Sequence, residues 1–299
     1  MTRQLILLAG GTGTLGRELQ PRLTAGGYNV RLITRHPERG RDLESDLCEV
    51  TRADVCEVST LTSVLRGVRT VISAMSGYGP NSGADPRSVD GAGNGNLIHA
   101  AETAGAEHFL LVSVRGAGPH HPMELMRMKF QAEQELKASR LAWTIVRPSL
   151  FMETWASVVG EPLMKHGKAL VFGRGRNPIN LVSACDVADV IMRAVTEPAM
   201  RGVEVDVAGP DDITLLQCAA TIASAAGVPN RYTRIPRPAL RLMSVVARPI
   251  SPTFARLAHD AVVMDTLDFT RDNRATMGAT SLTDVVTKRW AAGPMTRRP

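Results

Sequence analysis

The amino-acid sequence predicts an α/β protein with a doubly wound parallel sheet and a smaller, mostly helical C-terminal part. Up to about residue 150, apolar segments of strand length alternate with segments whose apolar residues recur at helical spacing. Residues 5–9 form an apolar strand, residues 10–16 a glycine-rich turn that opens a helix, and residues 28–34 a second strand. This strand–helix–strand unit of about thirty residues is typical of parallel crossovers, which place helices on both faces of a sheet.

The first part of the chain continues this alternation. Its first helix carries Leu15 and Leu19 on one face and ends near the glycine pair at residues 26–27. Asp85 as N-cap and Pro86 at the first helical position begin a later helix. The predicted elements after the second strand are strand 48–51, helix 61–65, strand 68–74, helix 85–105, strand 108–114, helix 122–139 and strand 142–146.

Beyond residue 147 the alternation is looser. Ser183 and Asp186 have the spacing of a capping box before a helix, and Thr214 is the predicted N-cap of another helix. The predicted elements are helix 151–159, strands 169–172 and 179–182, helix 187–195, strand 203–207, helix 214–226 and helical segments 239–246 and 254–267. We therefore predict one domain over residues 1–150 and a second part over residues 151–299, with segments around 179–208 returning to the core of the first domain.

The composition argues against several kinds of protein. Among the 299 residues, 44% are apolar and 21% charged, and no apolar run reaches the length of a membrane span. No cleavage signal follows the first residues, so we expect a cytoplasmic protein without a membrane partner. The four cysteines lack metal-ligand spacing, which argues against a metal site. The net charge is +6, but Lys and Arg are dispersed and aromatic residues make up only 4%, so no nucleic-acid partner is expected.

The glycine-rich turn has the composition of a dinucleotide-binding loop. Gly10 permits a tight turn, Gly13 lets backbone N–H groups approach a pyrophosphate, and Gly16 lets the helix pack closely on the strand. The helix that begins there directs its positive end at the anion. The residues of the turn that we expect to bind the dinucleotide are Gly10, Thr12, Gly13, Thr14, Leu15 and Gly16.

The end of the second strand indicates which dinucleotide is bound. An acidic residue about twenty positions beyond the turn would bind the ribose 2′-hydroxyl of NAD. That place holds Thr34, Arg35 and His36 instead. A guanidinium suits a 2′-phosphate and stacks on adenine, so Arg35, with Arg39 close behind, favours NADP(H). Solvated surface arginines are the alternative. Asp54, after the third strand, is expected near the adenine end.

The fourth strand ends in a flexible segment, residues 75–80, at the carboxyl edge of the predicted sheet. Ligands of open α/β sheets bind at this edge. We therefore expect Ala74, Met75 and Ser76 to contact the cofactor and Tyr78 to contact a substrate.

With these motifs the chain resembles the NmrA-like, atypical branch of the short-chain dehydrogenase/reductase superfamily, over roughly residues 4–230. The resemblance implies a Rossmann fold and a bound dinucleotide, and it is less specific for any one reaction. The motifs that carry it are Gly10-Gly11-Thr12-Gly13-Thr14-Leu15-Gly16, Thr34-Arg35, Ala53-Asp54, Leu110-Leu111-Val112-Ser113, Lys129 with Glu133, Trp143-Thr144-Ile145-Val146-Arg147-Pro148 and residues 182–188.

The resemblance implies only half of the superfamily's usual catalytic pair. In that pair a Tyr passes a proton, while a Lys four residues later lowers the pKa of the Tyr and holds the nicotinamide ribose. Lys129 fits the Lys, but Leu125 stands at the Tyr position. The chain's tyrosines, at positions 28, 78 and 232, offer no nearby substitute. Without this Tyr the chain lacks the proton donor of the ordinary alcohol dehydrogenase mechanism.

Two functions stay open. In the first, hydride passes from NADPH to a small, largely apolar carbonyl, enone or quinone-like substrate, while Lys129 supplies the proton or stabilises the oxyanion and Ser113 bonds a substrate oxygen. In the second, the protein is a non-catalytic NADP-binding sensor or regulator. Simple structural roles are the alternatives: Lys129 as a surface residue paired with Glu133, and Ser113 bonded to nearby backbone.

The resemblance also implies contacts around the nicotinamide. Pro148 is expected beside the cofactor, and Phe151, Met152 and Trp155 are expected to wall an apolar substrate pocket, unless they are simply core residues. His120 is an alternative proton donor because imidazole titrates near neutrality, although most loop histidines are solvated. The expected partner is a small-molecule substrate, bound by a monomer or homodimer.

Overall fold

The structure is a computed structural model that describes residues 3–79 and 85–290. Pro80, which ends the predicted 75–80 segment, lies outside the described residues. The chain divides into two compact units. The ranges are Met1–Pro148 with Val187–Asp206 for unit 1, and Ser149–Asp186 with Val207–Pro299 for unit 2.

The strands and helices follow the alternation of the sequence. The strands are β1 Leu5–Ala9, β2 Asn29–Thr34, β3 Cys48–Arg52, β4 Thr70–Ser73, β5 His108–Val112, β6 Ala142–Pro148, β7 Leu150–Phe151, β8 Ala169–Phe172, β9 Ile179–Val182, β10 Val203–Ala208, β11 Asp212–Ile213, β12 Tyr232–Ile235 and β13 Thr276–Met277. The α-helices are α1 Thr14–Ala25, α2 Val58–Val64, α3 Asn94–Thr103, α4 Glu124–Ala138, α5 Met152–His166, α6 Ala184–Thr196, α7 Leu215–Ala225, α8 Arg237–Val246, α9 Pro252–Met264 and α10 Leu282–Trp290.

Unit 1 contains the predicted doubly wound sheet, and the fold-class prediction is confirmed. The strand order is β3-β2-β1-β4-β5-β6-β10, and β13 pairs with the end of β10, giving eight strands within the described residues. Strand β1 pairs in parallel with β2 on one side and with β4 on the other. The winding direction therefore reverses between β1 and β4, and this switch point is where open sheets of this type bind ligands.

The centre of the sheet is buried on both faces. Every residue of β4 and β5 is buried, and Leu7 and Phe109 have no exposed surface. This explains why adjacent apolar residues in these strands face both sides of the sheet, instead of alternating with polar ones. Helix α1 packs on the sheet through Leu15, Leu19 and Leu23, which recur at helical spacing.

Unit 2 combines short strand pairs with helices. Strand β8 pairs with β12, and β9 pairs with β7 and β11. Helix α10 contacts α7 and α5. Its Trp290 ring packs so closely on Gly160 that a Cβ there would lie 2.8 Å from the ring. Sequence reasoning missed α10 because its buried apolar stripe consists of only Leu282 and Val286. No helix of residues 3–79 and 85–290 is long and apolar enough to cross a bilayer.

Two predicted helices differ from the structure. The helix expected over 85–105 is π-helical from Arg87 to Gly93 before continuing as α3. The helix expected from residue 187 begins at Ala184. Next to it, the Ser183 hydroxyl donates to Glu153 and accepts from the Cys185 N–H of the helix, whereas the Asp186 carboxylate accepts from Thr280 outside the helix.

Candidate active site

The glycine turn after β1 approaches the end of β4 more closely than a side chain would allow. Gly10 has a φ of +83°, which favours glycine, and a Cβ there would lie 2.5 Å from the Ala74 carbonyl oxygen. A Cβ on Gly16 would collide with the Gly10 carbonyl. Helix α1 begins at Thr14 after Gly13, and among the described residues no side chain caps it. The first-turn N–H groups are therefore available to an anion.

These elements line a cleft of unit 1 with a cavity volume of about 210 Å³. The structure thus brings together most of the predicted cofactor contacts, while Thr14, Leu15, Gly16, Lys129 and Pro148 lie outside this lining. The predicted contacts that line the cleft are Gly10, Thr12, Gly13, Arg35, Asp54, Ala74, Met75 and Ser76. The other lining residues are Ile33, Thr34, His36, Arg39, Ala53, Val55 and Val89. Leu15 is instead buried in the core.

One end of the cleft is basic. Arg35 and Arg39 line it and are exposed. Arg17 holds the Arg39 segment by donating to the Arg39 carbonyl oxygen at 2.9 Å, and it pairs with Asp42. The hydrogen bond from Arg17 holds the pKa of Asp42 below its usual value. Sequence reasoning missed Arg17, although its position directly after the last glycine of the turn was a usable signal.

Lys129 is a buried cation with three oxygen atoms of the protein close to its ammonium. Its Nζ lies 2.8 Å from the Met75 carbonyl oxygen, 2.9 Å from the Val112 carbonyl oxygen and 3.0 Å from Asp90 Oδ1. The side chain of Lys129 is 4% exposed and that of Asp90 is 0% exposed. The two carbonyl contacts are hydrogen bonds, whereas the contact with Asp90 Oδ1 is an ion pair without hydrogen-bond geometry. The alternative of a surface lysine is wrong.

The partner expected for Lys129 under that alternative belongs to another cluster. Glu133 accepts two hydrogen bonds from Arg147, at 2.8 and 2.6 Å, in a bidentate ion pair. Arg147 also pairs with Glu204 at 2.5 Å, and Glu204 pairs with Lys137. The hydrogen bonds to Glu133 raise the pKa of Arg147 above its usual value. This cluster joins α4 to β6 and β10.

Asp90 connects Lys129 to the segment after β4. Its Oδ2 accepts from the Gly77 N–H at 2.8 Å, and its carbonyl oxygen accepts from the Asn94 amide at 2.9 Å. The Asn94 side-chain oxygen in turn accepts from the Ser73 hydroxyl at 2.6 Å. Sequence reasoning missed Asp90. The sequence did contain an indication of it: Asp90 and Asn94, one turn apart, lie in the predicted helix that also carries the core-facing apolar residues.

Ser113 follows β5 directly, next to Val112. Its backbone N–H donates to the Val146 carbonyl oxygen at 2.8 Å. Its side chain is buried, and within the described residues its hydroxyl has no hydrogen-bond partner. Leaving a buried hydroxyl unpaired is unfavourable by about 1–3 kcal/mol, which favours a ligand group as the partner. Local backbone bonding, the alternative for this hydroxyl, is not observed among these residues.

The other predicted contacts are placed as follows. Tyr78 is half-buried, and His120 is exposed. In unit 2, Phe151 is half-buried and Met152 is buried. Trp155 lines a small apolar cavity of unit 2 with Phe172, Gly175, Asn177, Ile179, Leu215, Ala261, Met264 and Asp265.

Comparisons with known proteins identify the family. Residues 10–198 match the family model described as NAD(P)H-binding. The chain is 30% identical over 231 residues to the NAD(P)H azoreductase of Xenophilus azovorans, covering 77% of each chain. It is 27% identical over 244 residues to the photosystem II assembly factor Ycf39 of Synechocystis sp., covering 81% of this chain and 74% of that protein.

A solved structure supports the same fold. The NADPH complex of the quinone oxidoreductase QOR2 from Escherichia coli is 22% identical, with a TM-score of 0.74 and coverage of 95% of this chain and 99% of that chain. The predicted resemblance to the NmrA-like branch is confirmed. The cleft at the start of α1 is thus part of a chain that belongs to the NAD(P)H-binding family.

Proposed function

We propose that this protein is an NADPH-dependent reductase of a small, largely apolar carbonyl, enone or quinone-like substrate. The observation that carries the proposal is the cleft of unit 1, which joins a glycine cradle, a basic end and the segment after β4. The names of two similar proteins, an azoreductase and a quinone oxidoreductase, support reduction of conjugated acceptors. When bound, the reduced dinucleotide supplies a hydride.

The cofactor would be held mainly by backbone and by arginine. The uncapped start of α1, with Gly10, Thr12 and Gly13, would bind the pyrophosphate. Arg35 would bind the 2′-phosphate, which is our reason for preferring NADPH to NADH. The other proposed contacts are Thr14, Leu15, Gly16, Arg39, Asp54, Ala74, Met75, Ser76, Lys129 and Pro148.

Within this proposal Lys129 positions other groups rather than donating a proton to substrate. Its ammonium donates hydrogen bonds to the Met75 and Val112 carbonyl oxygens and is paired with the buried charge of Asp90, so the protein itself already holds the group. The bond to Met75 fixes the backbone of the cleft lining. Lys129 would therefore act on the cofactor through the segment after β4.

Ser113 is our proposed catalytic residue. Its buried hydroxyl, without a partner in the described part of the chain, would donate to the substrate oxygen on which negative charge develops. We retain Tyr78 and His120 in unit 1, and Phe151, Met152 and Trp155 in unit 2, as proposed substrate contacts. The cytoplasmic location, the small-molecule partner and the monomer or homodimer remain predictions.

The second candidate function is a non-catalytic NADP-binding regulator. Leu125 in place of the usual Tyr favours it, and so do the two hydrogen bonds that hold the Lys129 ammonium to backbone carbonyl oxygens. The similarity to an assembly factor also favours it.

Steady-state oxidation of NADPH with quinones, enones and azo dyes distinguishes the two functions. Turnover that falls in Ser113→Ala, with unchanged NADPH affinity measured by nicotinamide fluorescence, supports the reductase. The matched control is Ser139→Ala, because this hydroxyl at the end of α4 bonds the Leu136 carbonyl oxygen. Tight NADPH binding without turnover across the panel contradicts the reductase and supports the regulator.

A further inference from the structure

Helix α8 of unit 2 directs an apolar face at solvent. Leu242, Val245 and Val246 lie within one arc of the helix, and each is more than half exposed. Leu240 is the buried residue of this helix. A surface helix of a globular protein normally shows the reverse pattern, with its apolar stripe towards the core.

The same apolar surface continues through the turn into α9. Ile250, in the turn, is 85% exposed, and its N–H donates to the Ala247 carbonyl oxygen. Phe254, in the first turn of α9, is also exposed. The five residues that form this apolar tip are Leu242, Val245, Val246, Ile250 and Phe254. Clustered exposed apolar residues of this kind mark an interaction surface.

The segment that carries the apolar tip is basic without any acidic residue. Residues 213–259 contain six arginines and no Lys, Asp or Glu. Outside this segment the remaining 29 Lys and Arg residues balance the 29 Asp and Glu residues, so the segment accounts for the whole net charge of +6. The basic residues are about as dense in this segment as in the rest of the chain, and it is the lack of acidic residues that makes the segment positive. Arg241 and Arg248 are exposed and border the apolar arc of α8.

The combination of aliphatic and arginine side chains indicates the chemistry of the partner. In a two-fold dimer the patch would meet itself, placing Arg241 and Arg248 near their own copies with no carboxylate in the segment. A nucleic acid would pair with the arginines but leave the aliphatic side chains without an apolar partner. An anionic bilayer satisfies both, because phosphates bind the guanidinium groups while the aliphatic residues enter the acyl boundary.

We propose that the α8–α9 hairpin docks on the surface of an anionic lipid bilayer, inserting the apolar tip and pairing Arg241 and Arg248 with lipid phosphates. Peripheral docking of this kind needs no spanning helix, so the argument from apolar run length does not bear on it. The proposal is independent of the reductase proposal, since it concerns residues that no step of that function uses.

Co-sedimentation of the full chain with lipid vesicles tests the proposal. Vesicles of phosphatidylcholine are compared with vesicles containing about one third phosphatidylglycerol, at low and physiological salt. We expect at least tenfold stronger binding to the anionic vesicles, weakening as salt rises. The combined change Leu242→Ser, Val246→Ser and Ile250→Ser should lower binding at least tenfold. Arg241→Gln with Arg248→Gln should lower it by about thirtyfold, since each cation contributes about 1 kcal/mol near an anionic surface.

Val58→Ser is the matched control, because Val58 is a half-exposed aliphatic residue on α2 of unit 1. It should leave vesicle binding unchanged. All altered residues are exposed, and an unchanged melting temperature for each variant verifies folding. Failure of the unaltered protein to bind anionic vesicles at low salt overturns the proposal, as does full binding by the triple serine variant. Two other results assign the surface to a different partner and also overturn the proposal. One is that the protein is a dimer and the serine changes convert it to a monomer; the other is that it binds duplex DNA but not vesicles.

Discussion

Lys129→Met should destabilise the protein far more than loss of an ordinary lysine. The change keeps the length and apolar stem of the side chain, but it leaves Asp90 as a buried carboxylate whose remaining side-chain hydrogen bond comes from the Gly77 N–H. The carbonyl oxygens of Met75 and Val112 also lose a donor. Breaking a buried ion pair in this way costs about 3–5 kcal/mol.

Urea unfolding followed by circular dichroism measures this loss. With a slope of about 3 kcal/mol/M, the midpoint should fall by about 1–1.7 M. Adding Asp90→Asn should recover about 2 kcal/mol, because no unpaired charge then remains buried. The control is Lys137→Met on the same helix, where a partly exposed pair with Glu204 predicts a loss of about 1 kcal/mol or less.

The same variants separate a positioning role from proton donation. If Lys129 positions the cleft lining, Lys129→Met should raise the Kd for NADPH together with the loss of stability, and Asp90→Asn should raise that Kd as well. A loss below about 1 kcal/mol, with no coupling between the two positions, refutes the reasoning from the buried pair. Unchanged stability and NADPH affinity with abolished turnover would instead identify Lys129 as the proton donor.

Three further predictions concern other parts of unit 1. Arg35→Asp should weaken NADPH binding at least tenfold and NADH binding little, measured by fluorescence titration; equal losses would contradict the 2′-phosphate contact. Gly10→Ala should abolish binding of both dinucleotides, because its methyl group would press on the Ala74 carbonyl oxygen; retained affinity would contradict this. Burial lowers the pKa of His108 from 6.5 to about 4. Below pH 6.5 the unfolded chain therefore binds a proton that the folded chain does not, so about 3 kcal/mol of stability should be lost as the pH falls to 4. In His108→Gln the urea midpoint should fall less than in the unaltered protein as the pH is lowered through this range. An equal fall of the midpoint with pH in both proteins would contradict the assignment.

Local signals in the sequence were sufficient for the sheet and for most of the residues that line the cleft of unit 1. The glycine turn, each apolar strand and Arg35 can be recognised within a short stretch of sequence. The positive φ of Gly10 is also a local property, because glycine is the residue that adopts it without strain. The contacts of Lys129 could not be predicted in the same way. They join residues from position 75 to position 129. Helical spacing favoured Glu133 as the partner of Lys129. In the structure Glu133 forms its ion pair with Arg147, and Lys129 forms its ion pair with Asp90.

The bonds of Lys129 also connect the two groups to which we assign cofactor and substrate contacts. One bond holds the Met75 carbonyl in the cleft lining, and another holds the Val112 carbonyl directly before Ser113. The same Val112–Ser113 peptide donates its N–H to the Val146 carbonyl oxygen, so both of its polar groups are fixed. With the backbone of Ser113 constrained on both sides, its unpaired hydroxyl has little freedom except rotation about its own side chain. A single buried cation can therefore set the distance between the segment after β4 and the hydroxyl that we propose as substrate donor, which explains how the Lys could remain useful in a chain where Leu125 replaces the Tyr.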